Sequence, residues 1–243
     1  MLKTTGLPLL IGLAAIVVAC GSPDEPSLAA MTTSELLARG RTRHELGELG
    51  AAVAAYRMVL HRDSLNAIAL GGLSSVYGDQ GRKRAAQRYM RKAIHLAYTA
   101  GLGSLGRGDT TAALVSFDRT LALLPRHALA LIRLGDVARA RGDADGAIGY
   151  YRRAAEANPN FAESSLKLGA VCAQVGRDAD ARAAYEAAIA ANLNAFDAYV
   201  GLAELDTAAG QWAAAADQYG KALLIRPDSE AAQSGLNRAR RNL

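Results

Sequence analysis

Glycines recur at a nearly constant interval along the chain, and this periodicity constrains the fold more than any other feature. The recurring glycines are Gly47, Gly81, Gly108, Gly142, Gly176 and Gly210, and only the interval from Gly81 to Gly108 is shorter than the others. Each follows one helical pattern and precedes another, as expected for the turn between two helices. Glycine adopts a positive φ at little steric cost, so it is favoured in such turns. The sequence therefore predicts about six consecutive helical hairpins.

Other residues recur at fixed offsets from these glycines. A small residue follows five positions later, an aromatic residue four positions after that, and then another small residue. Three clear sets are Gly142, Ala147, Tyr151 and Ala154; Gly176, Ala181, Tyr185 and Ala188; and Gly210, Ala215, Tyr219 and Ala222. Leu-Gly pairs recur in the preceding helices, as Leu134-Gly135 and Leu168-Gly169. Together these residues resemble the tetratricopeptide repeat, a helix–turn–helix unit of about 34 residues.

The resemblance implies an all-α fold for residues 33–243: a right-handed superhelical solenoid of about six tetratricopeptide repeats with a C-terminal capping helix. The expected repeats and the cap are residues 33–66, 67–93, 94–127, 128–161, 162–195, 196–229 and 230–243. One hairpin cannot bury its apolar faces alone, so neighbours stack. The shorter interval between Gly81 and Gly108 removes the loop between the second and third repeats. We expect a shortened, irregular helix there, with a functional hinge as the alternative.

The amino terminus has the pattern of an export signal. Lys3 is the only charged residue before Asp24, and residues 6–19 are an uncharged stretch of mainly apolar residues. A stretch of about 14 residues is too short to cross a bilayer, which needs about 20. A basic start followed by a short apolar core is typical of a secretory signal.

The four residues that end at Cys20, Val-Val-Ala-Cys, resemble the bacterial lipoprotein box. The resemblance implies that residues 1–19 are a signal peptide, that Cys20 carries acyl chains such as palmitate, and that residues 20–32 form a lipidated tether. Gly21, where an aspartate would imply inner-membrane retention, implies sorting to the outer membrane with the repeats facing the periplasm. The alternative is an ordinary signal peptide that a cysteine happens to follow.

In the tetratricopeptide repeat family, the first helix of each repeat lines a concave surface on which partners bind. The family register places these residues on that surface: Leu37, Arg41, Tyr98, Leu102, Ile132, Asp136, Leu166, Val200 and Glu204. They include an apolar stripe, which favours an amphipathic helix or an extended apolar peptide as ligand. Core packing is an equal alternative for each of them. The lysine–asparagine pair with which chaperone-binding repeats grip a C-terminal carboxylate is missing from these positions.

Charge is unevenly distributed along the chain. Residues 33–93 contain eleven Lys and Arg against five Asp and Glu, whereas residues 128–229 contain ten against thirteen. Six basic residues cluster on one predicted second helix: Arg82, Lys83, Arg84, Arg88, Arg91 and Lys92. This cluster is either a solvated outer face or a contact with anionic lipid headgroups or with an acidic surface of a partner. An exported protein is not expected to bind nucleic acid.

No pattern of residues indicates catalysis, a cofactor or a bound metal. The four histidines have no pair three or four residues apart, so no metal-ligand spacing emerges. Residues 101–106 read G-x-G-x-x-G, but a dinucleotide site needs a strand before this motif, and here the pattern is helical. Cys172 is expected to be a small buried residue. We therefore predict a protein that is not an enzyme and has no small-molecule substrate.

An outer-membrane lipoprotein made almost entirely of six such repeats resembles the type IV pilus pilotins, of the type that serves myxobacterial social motility. Pilotins help the secretin subunit to reach the outer membrane and to assemble, so the resemblance implies a role in pilus biogenesis. The expected partners are the secretin subunit or another envelope protein, and the lipid bilayer through the acyl anchor. The alternative is a general envelope scaffold that recruits peptidoglycan hydrolases or synthases, which shares this anchor and fold.

Overall fold

A computed structural model describes residues 27–192 and 194–243, and all the regular secondary structure in these ranges is helical. The helices are α1 (Thr33–Glu45), α2 (Leu49–Arg62), α3 (Ala67–Asp79), α4 (Lys83–Gly106), α5 (Thr110–Leu123), α6 (Ala128–Ala140), α7 (Ala144–Ala157), α8 (Ala162–Gln174), α9 (Asp178–Ala191), α10 (Phe196–Ala208), α11 (Trp212–Ile225) and α12 (Glu230–Arg241). Helices that are neighbours in sequence also pack together in space. The predicted all-α solenoid is confirmed.

The six glycines predicted to lie in turns all have a positive φ, between 70° and 78°. At Gly142 the turn closes the end of α6, because the amide of Asp143 donates a hydrogen bond to the carbonyl of Ala138 over 3.0 Å. A side chain at such a position would strain the backbone. The spacing of the glycines therefore located the turn inside each hairpin correctly.

Aromatic rings on second helices pack against glycines of neighbouring first helices, in some cases on both sides of the ring. Tyr185 of α9 lies between Gly169 of α8 and Gly201 of α10, and a Cβ atom on Gly169 would come within 2.7 Å of the ring. A Cβ on Gly201 would come closer still, and Tyr219 of α11 covers Gly235 of α12 in the same way. A Cβ atom at these glycines would force the ring or the backbone to shift, so the close packing of ring on glycine joins one hairpin to the next.

The short interval between Gly81 and Gly108 holds one uninterrupted helix. α4 has 24 residues, so the second helix of the second hairpin and the first helix of the third form a single rod about 36 Å long. The expectation of a shortened, irregular helix is wrong. No proline interrupts this stretch. Gly101, which costs helix stability, makes room for Phe117, whose ring lies 2.5 Å from where a Cβ would be.

The two halves of α4 pack into different groups of buried side chains. Tyr89, in the first half, packs against the buried cluster of α1, α2 and α3. Tyr98, in the second half, packs against the cluster that contains Phe117. We call α1–α3 with the first half of α4 the N-terminal stack, and the second half of α4 with α5–α12 the C-terminal stack. The two stacks thus share one helix as their common element.

α12 caps the C-terminal stack as predicted. It buries Ala232, Leu236 and Ala239 in a cluster with side chains of α10 and α11. Its opposite face is exposed and includes Arg240 and Arg241. Solenoids need such a polar outer face on the terminal unit, because no further repeat covers it.

Several sequence predictions lie outside the described residues: the signal peptide at 1–19, the acylated Cys20 and most of the tether. Within the described ranges, no helix combines the length and the apolar character that crossing a membrane requires. The same ranges contain no group of three or more His, Cys, Asp or Glu side chains that could hold a metal ion. Residues 101–106 lie inside α4 and no strand precedes them in the part described, so their glycines do not form a dinucleotide-binding loop.

Candidate partner-binding groove

The first helices of the last three repeats lie side by side in the C-terminal stack. α8 contacts both α6 and α10, and a surface cavity of about 320 Å³ lies between these helices and α9. The cavity is lined by Arg139, Leu166, Lys167, Ala170, Val171, Gln174, Tyr185 and Asp197. We call it the groove cavity. Its lining combines apolar side chains with both signs of charge, which suits a peptide more than a purely apolar ligand.

A partly buried carboxylate organises the polar side chains next to this cavity. Asp136 Oδ1 on α6 accepts hydrogen bonds from the hydroxyl of Tyr151 and from Lys167 Nζ on α8, each over 2.8 Å. Its Oδ2 accepts one from Arg133 over 3.1 Å. Asp136 therefore joins α6, α7 and α8, and holds Lys167 at the edge of the groove cavity.

Further polar contacts continue from these residues toward α4 on one side and along α8 on the other. Arg133 also interacts with the hydroxyl of Tyr98 on α4, and Lys167 lies 3.9 Å from Glu163 on α8. We call the set Tyr98, Arg133, Asp136, Lys167 and Glu163 the polar seam. It crosses three successive first helices, and its two cations and two carboxylates balance.

Ionisation within the polar seam follows from its geometry. Partial burial of Asp136 opposes ionisation, but the hydrogen bonds from Lys167, Tyr151 and Arg133 outweigh it, so the pKa of this carboxyl lies below its usual value. Burial raises the pKa of Tyr151, and its hydrogen bond to Asp136 raises it further. Asp136 is thus held as a carboxylate and Tyr151 as a neutral donor.

The structure gathers some of the predicted groove residues and separates others. Tyr98, Asp136 and Leu166 are half-buried and meet along the polar seam and the groove cavity. Leu102 and Glu204 are exposed on α4 and α10, and Val200 is half-buried in the last cluster of the C-terminal stack. Leu37 and Arg41 belong to α1, in the N-terminal stack.

The prediction for Ile132 is wrong, because its side chain is completely buried in the largest cluster of the C-terminal stack. On α6 the consecutive residues Ala130, Leu131 and Ile132 are all buried. A helix in the middle of a stack is covered on more than one face, so its apolar positions exceed those of a single stripe. The predicted apolar stripe is likewise interrupted by the polar seam.

Six residues of the groove cavity and the polar seam were not among those predicted from the sequence: Arg133, Arg139, Glu163, Lys167, Gln174 and Asp197. One signal was available for two of them, since Arg133 and Lys167 are one repeat length apart and occupy the same position of consecutive repeats. A basic residue repeated at one register position, with Asp136 between the two, indicates pairing across first helices.

The basic cluster has the exposure that its sequence predicts. Arg82 precedes α4, and Lys83, Arg84, Arg88, Arg91 and Lys92 lie on its first half, all of them exposed. The structure therefore leaves this cluster accessible on the outer surface, away from the buried clusters.

A solenoid of helical hairpins, with a cavity between its first helices, defines the class of protein-interaction scaffolds built from repeats. The tetratricopeptide repeat model matches residues 98–162 and 166–233, and a second tetratricopeptide repeat model matches residues 67–99. These matches cover more than half of the chain. The protein belongs to the tetratricopeptide repeat family, whose domains bind protein partners.

Solved structures agree with this fold. A structure of Pseudomonas aeruginosa PilF is 16% identical over 85% of this chain and 97% of its own, with a TM-score of 0.51. The Cut9–Hcn1 hetero-tetramer of the APC/C is 18% identical over 86% of this chain and 43% of its own, with a TM-score of 0.52. At these identities the likeness concerns the fold alone. No curated protein sequence matches the chain.

Proposed function

We propose that this protein is a membrane-tethered adaptor that acts as a pilotin. It promotes the outer-membrane targeting and assembly of the type IV pilus secretin, and so supports pilus biogenesis and pilus-dependent motility. The observation that carries the proposal is the groove cavity with its polar seam, on a solenoid that belongs to a family of protein-binding repeats. The lipoprotein box and the repeat number add the resemblance to pilotins.

The segment that leads from the proposed anchor is held firmly on the N-terminal stack. The guanidinium of Arg62 donates hydrogen bonds to the carbonyls of Leu28, Ala29 and Met31, over 3.4, 2.8 and 2.5 Å. An acylated Cys20 would therefore keep the N-terminal stack near the bilayer and leave the groove cavity, in the C-terminal stack, available to a partner. Tethering raises the local concentration of the captured subunits and favours their assembly.

The groove cavity is suited to a short segment of the secretin monomer. Leu166 and Ala170 can pack against an apolar side chain, while Lys167 and Arg139 offer donors to backbone carbonyls or to an acidic side chain. The polar seam fixes Lys167 before the ligand arrives, which lowers the entropic cost of binding.

The groove is tested with a matched pair of substitutions in the full, lipidated chain. We expect Leu166→Glu to abolish cross-linking to the secretin and to reduce heat-stable secretin multimers and surface pili. Leu224→Glu makes the same change on α11 at a side chain that is 85% exposed. This control should leave the cross-linking, the secretin multimers and the surface pili unchanged. Thermal melting checks that both variants fold. Normal multimers in a folded Leu166→Glu variant would contradict the proposal.

The tether is tested separately with Cys20→Ala. We expect this variant to be mislocalised and to produce few secretin multimers. Normal multimer levels without the acyl anchor would show that tethering is unnecessary. If the wild-type protein instead captured peptidoglycan hydrolases or synthases, and not the secretin, the general scaffold would replace the pilotin.

A further inference from the structure

The first half of α4 carries one sign of charge. The helix contains five Lys and Arg and no Asp or Glu. Arg84, Arg88 and Arg91 follow one another at intervals of four and three residues, so they project from one face of the helix, and all three are exposed. This face is therefore a strip of positive charge on the outer surface of the N-terminal stack.

The strip continues onto α2 through two stacked tyrosines. Arg57 of α2 donates a hydrogen bond to the Tyr77 hydroxyl over 2.9 Å. The guanidinium of Arg82 lies 4.6 Å from the centre of the Tyr77 ring, and that of Arg88 lies 5.3 Å from the centre of the Tyr89 ring. The two rings stack with their centres 5.4 Å apart. Arginines of α2 and α4 thus share one surface.

The same surface reaches the point where the chain enters the fold. Arg57 and Arg62 line a cavity of about 510 Å³ together with Ala29, and Arg62 binds the carbonyls of the entering segment, as described above. We call this surface the basic face, and it comprises Arg57, Arg62, Arg82, Arg84, Arg88 and Arg91. The basic face and the entry of the chain are therefore neighbours.

Most acidic side chains of the N-terminal stack are bonded to groups outside the basic face. Glu48 pairs with Arg43, and the carboxylate of Asp79 lies 2.6 Å from His44. Asp63 accepts a hydrogen bond from the backbone amide of Leu65. Glu35 caps α1 by bonding to Thr32. Among the described residues, no carboxylate forms an ion pair with an arginine of the basic face.

We infer that the basic face lies against anionic phospholipid headgroups of the membrane to which the protein is anchored. The inference rests on the proposed acylation of Cys20, which determines which side of the protein faces the membrane. Seven residues of chain from Cys20 reach at most about 25 Å to Ser27, so an acyl anchor keeps this side of the N-terminal stack close to the bilayer. Guanidinium groups bind phosphate oxygens in pairs of hydrogen bonds. This reach favours a lipid surface over an acidic protein.

The test measures binding to vesicles without the anchor. The segment 27–243 contains α1–α12 and all the residues of the four buried clusters, so it keeps the fold. We expect it to sediment with vesicles of equal parts phosphatidylglycerol and phosphatidylcholine but not with phosphatidylcholine alone. Replacing Arg84, Arg88 and Arg91 by Gln should weaken binding about a hundredfold, because each basic group near an anionic surface contributes about fivefold. High salt should have the same effect.

The matched control removes three positive charges at the far end of the molecule. Arg238, Arg240 and Arg241 of α12 are exposed, and replacing all three by Gln should leave vesicle binding near the wild-type level. If both triple variants lost vesicle binding equally, binding would depend on net charge alone, and the inference would be overturned. The inference would also be overturned if the wild-type segment failed to bind anionic vesicles while the basic face cross-linked to an acidic protein in cells.

The vesicle assay uses neither the anchor nor the groove cavity, so its failure leaves the adaptor function standing. Conversely, the segment 27–243 with Leu166→Glu should bind anionic vesicles like the wild type. The two proposals can therefore fail independently.

Discussion

The guanidinium of Arg182 on α9 lies 2.5 Å from the carboxylate of Asp206 on α10, and the Asp206 side chain is only 1% exposed. At the preceding junction the same two repeat positions hold Ile148 of α7 and Cys172 of α8, which are both buried in one apolar cluster. The contact between the fifth and sixth repeats is therefore a partly buried ion pair where the preceding contact is apolar.

Breaking this ion pair should destabilise the protein. Arg182→Ala leaves Asp206 buried without its cation, and Asp206 Oδ2 already lacks a hydrogen-bond partner. We expect the free energy of unfolding in urea to fall by about 3 kcal/mol. The double variant Arg182→Ile with Asp206→Ala replaces the ion pair by an apolar contact similar to that of Ile148 and Cys172, and its stability should recover to within about 1 kcal/mol of wild type. A double variant as unstable as the single one would refute this account.

The contact between rings and glycines gives a second prediction. Gly201→Ala places a methyl group where the Tyr185 ring stands, so we expect a loss of about 1–3 kcal/mol in the free energy of unfolding. Gly149→Ala makes the same change in open space on the exposed side of α7 and should stabilise the protein by about 0.5–1 kcal/mol. Denaturant titrations compare the two variants, and equal effects would argue against ring packing as the cause.

A histidine at the start of α6 makes stability depend on pH. His127 Nδ1 accepts a hydrogen bond from the amide of Ala130 over 3.1 Å, which requires a neutral ring. Partial burial lowers the pKa of His127 below its usual 6.5. The unfolded chain therefore takes up this proton at a higher pH than the folded one. The stability it contributes is complete above pH 6.5 and is lost as the pH falls through the folded pKa.

The control for this effect is His127→Asn, which keeps a capping acceptor but does not titrate. Asn66 caps α3 in this way, by accepting from the amide of Ala69 over 3.1 Å. Thermal melting across the pH range should show a shallower loss of stability on the acid side for the variant. If the stability of the variant and of the wild type fell in parallel as the pH was lowered, groups other than His127 would control the loss of stability in acid.

Proline tests the difference between a loop and the continuous α4. Asp63 has φ −137° and ψ 90°, close to the values of Asn158 before Pro159, so Ser64→Pro should fit and stabilise by about 0.4–1 kcal/mol. Thr99→Pro, in the middle of α4, should cost about 3 kcal/mol or more. Urea titration measures both, and a tolerated proline at 99 would mean that α4 is not one rod.

The sequence predicted the repeated part of the fold and missed what departs from repetition. Turn glycines, ring positions and the cap follow from residue types that recur with a constant offset. α4 was not predicted as one continuous helix, because the shortened interval and nearby glycines such as Gly101 and Gly103 are compatible with a break, whereas in the structure Gly101 accommodates the Phe117 ring inside the helix. Propensity is a weak guide where tertiary contacts oppose it.

The candidate groove was predicted in part, for a similar reason. Leu166 and Asp136 were placed correctly on the first helices, because the register of the repeat assigns the face. Ile132 was misplaced, since register does not reveal how many neighbours cover a helix. The bond between Asp136 and Lys167 joins two repeats, and its trace in the sequence is the recurrence of a basic residue at one register position, as Arg133 and Lys167.

Because α4 belongs to both stacks, the number of residues in it sets the angle between them. Each residue of an α-helix advances about 1.5 Å and turns about 100°. One residue inserted near Leu96 would swing the groove cavity about 100° around the helix relative to the basic face. Seven inserted residues would restore the original direction to within about 20° and move the groove about 10 Å farther along the helix axis. The length of α4 thus sets both the direction in which the groove faces and its distance from the basic face, and adding a whole heptad changes the distance much more than the direction.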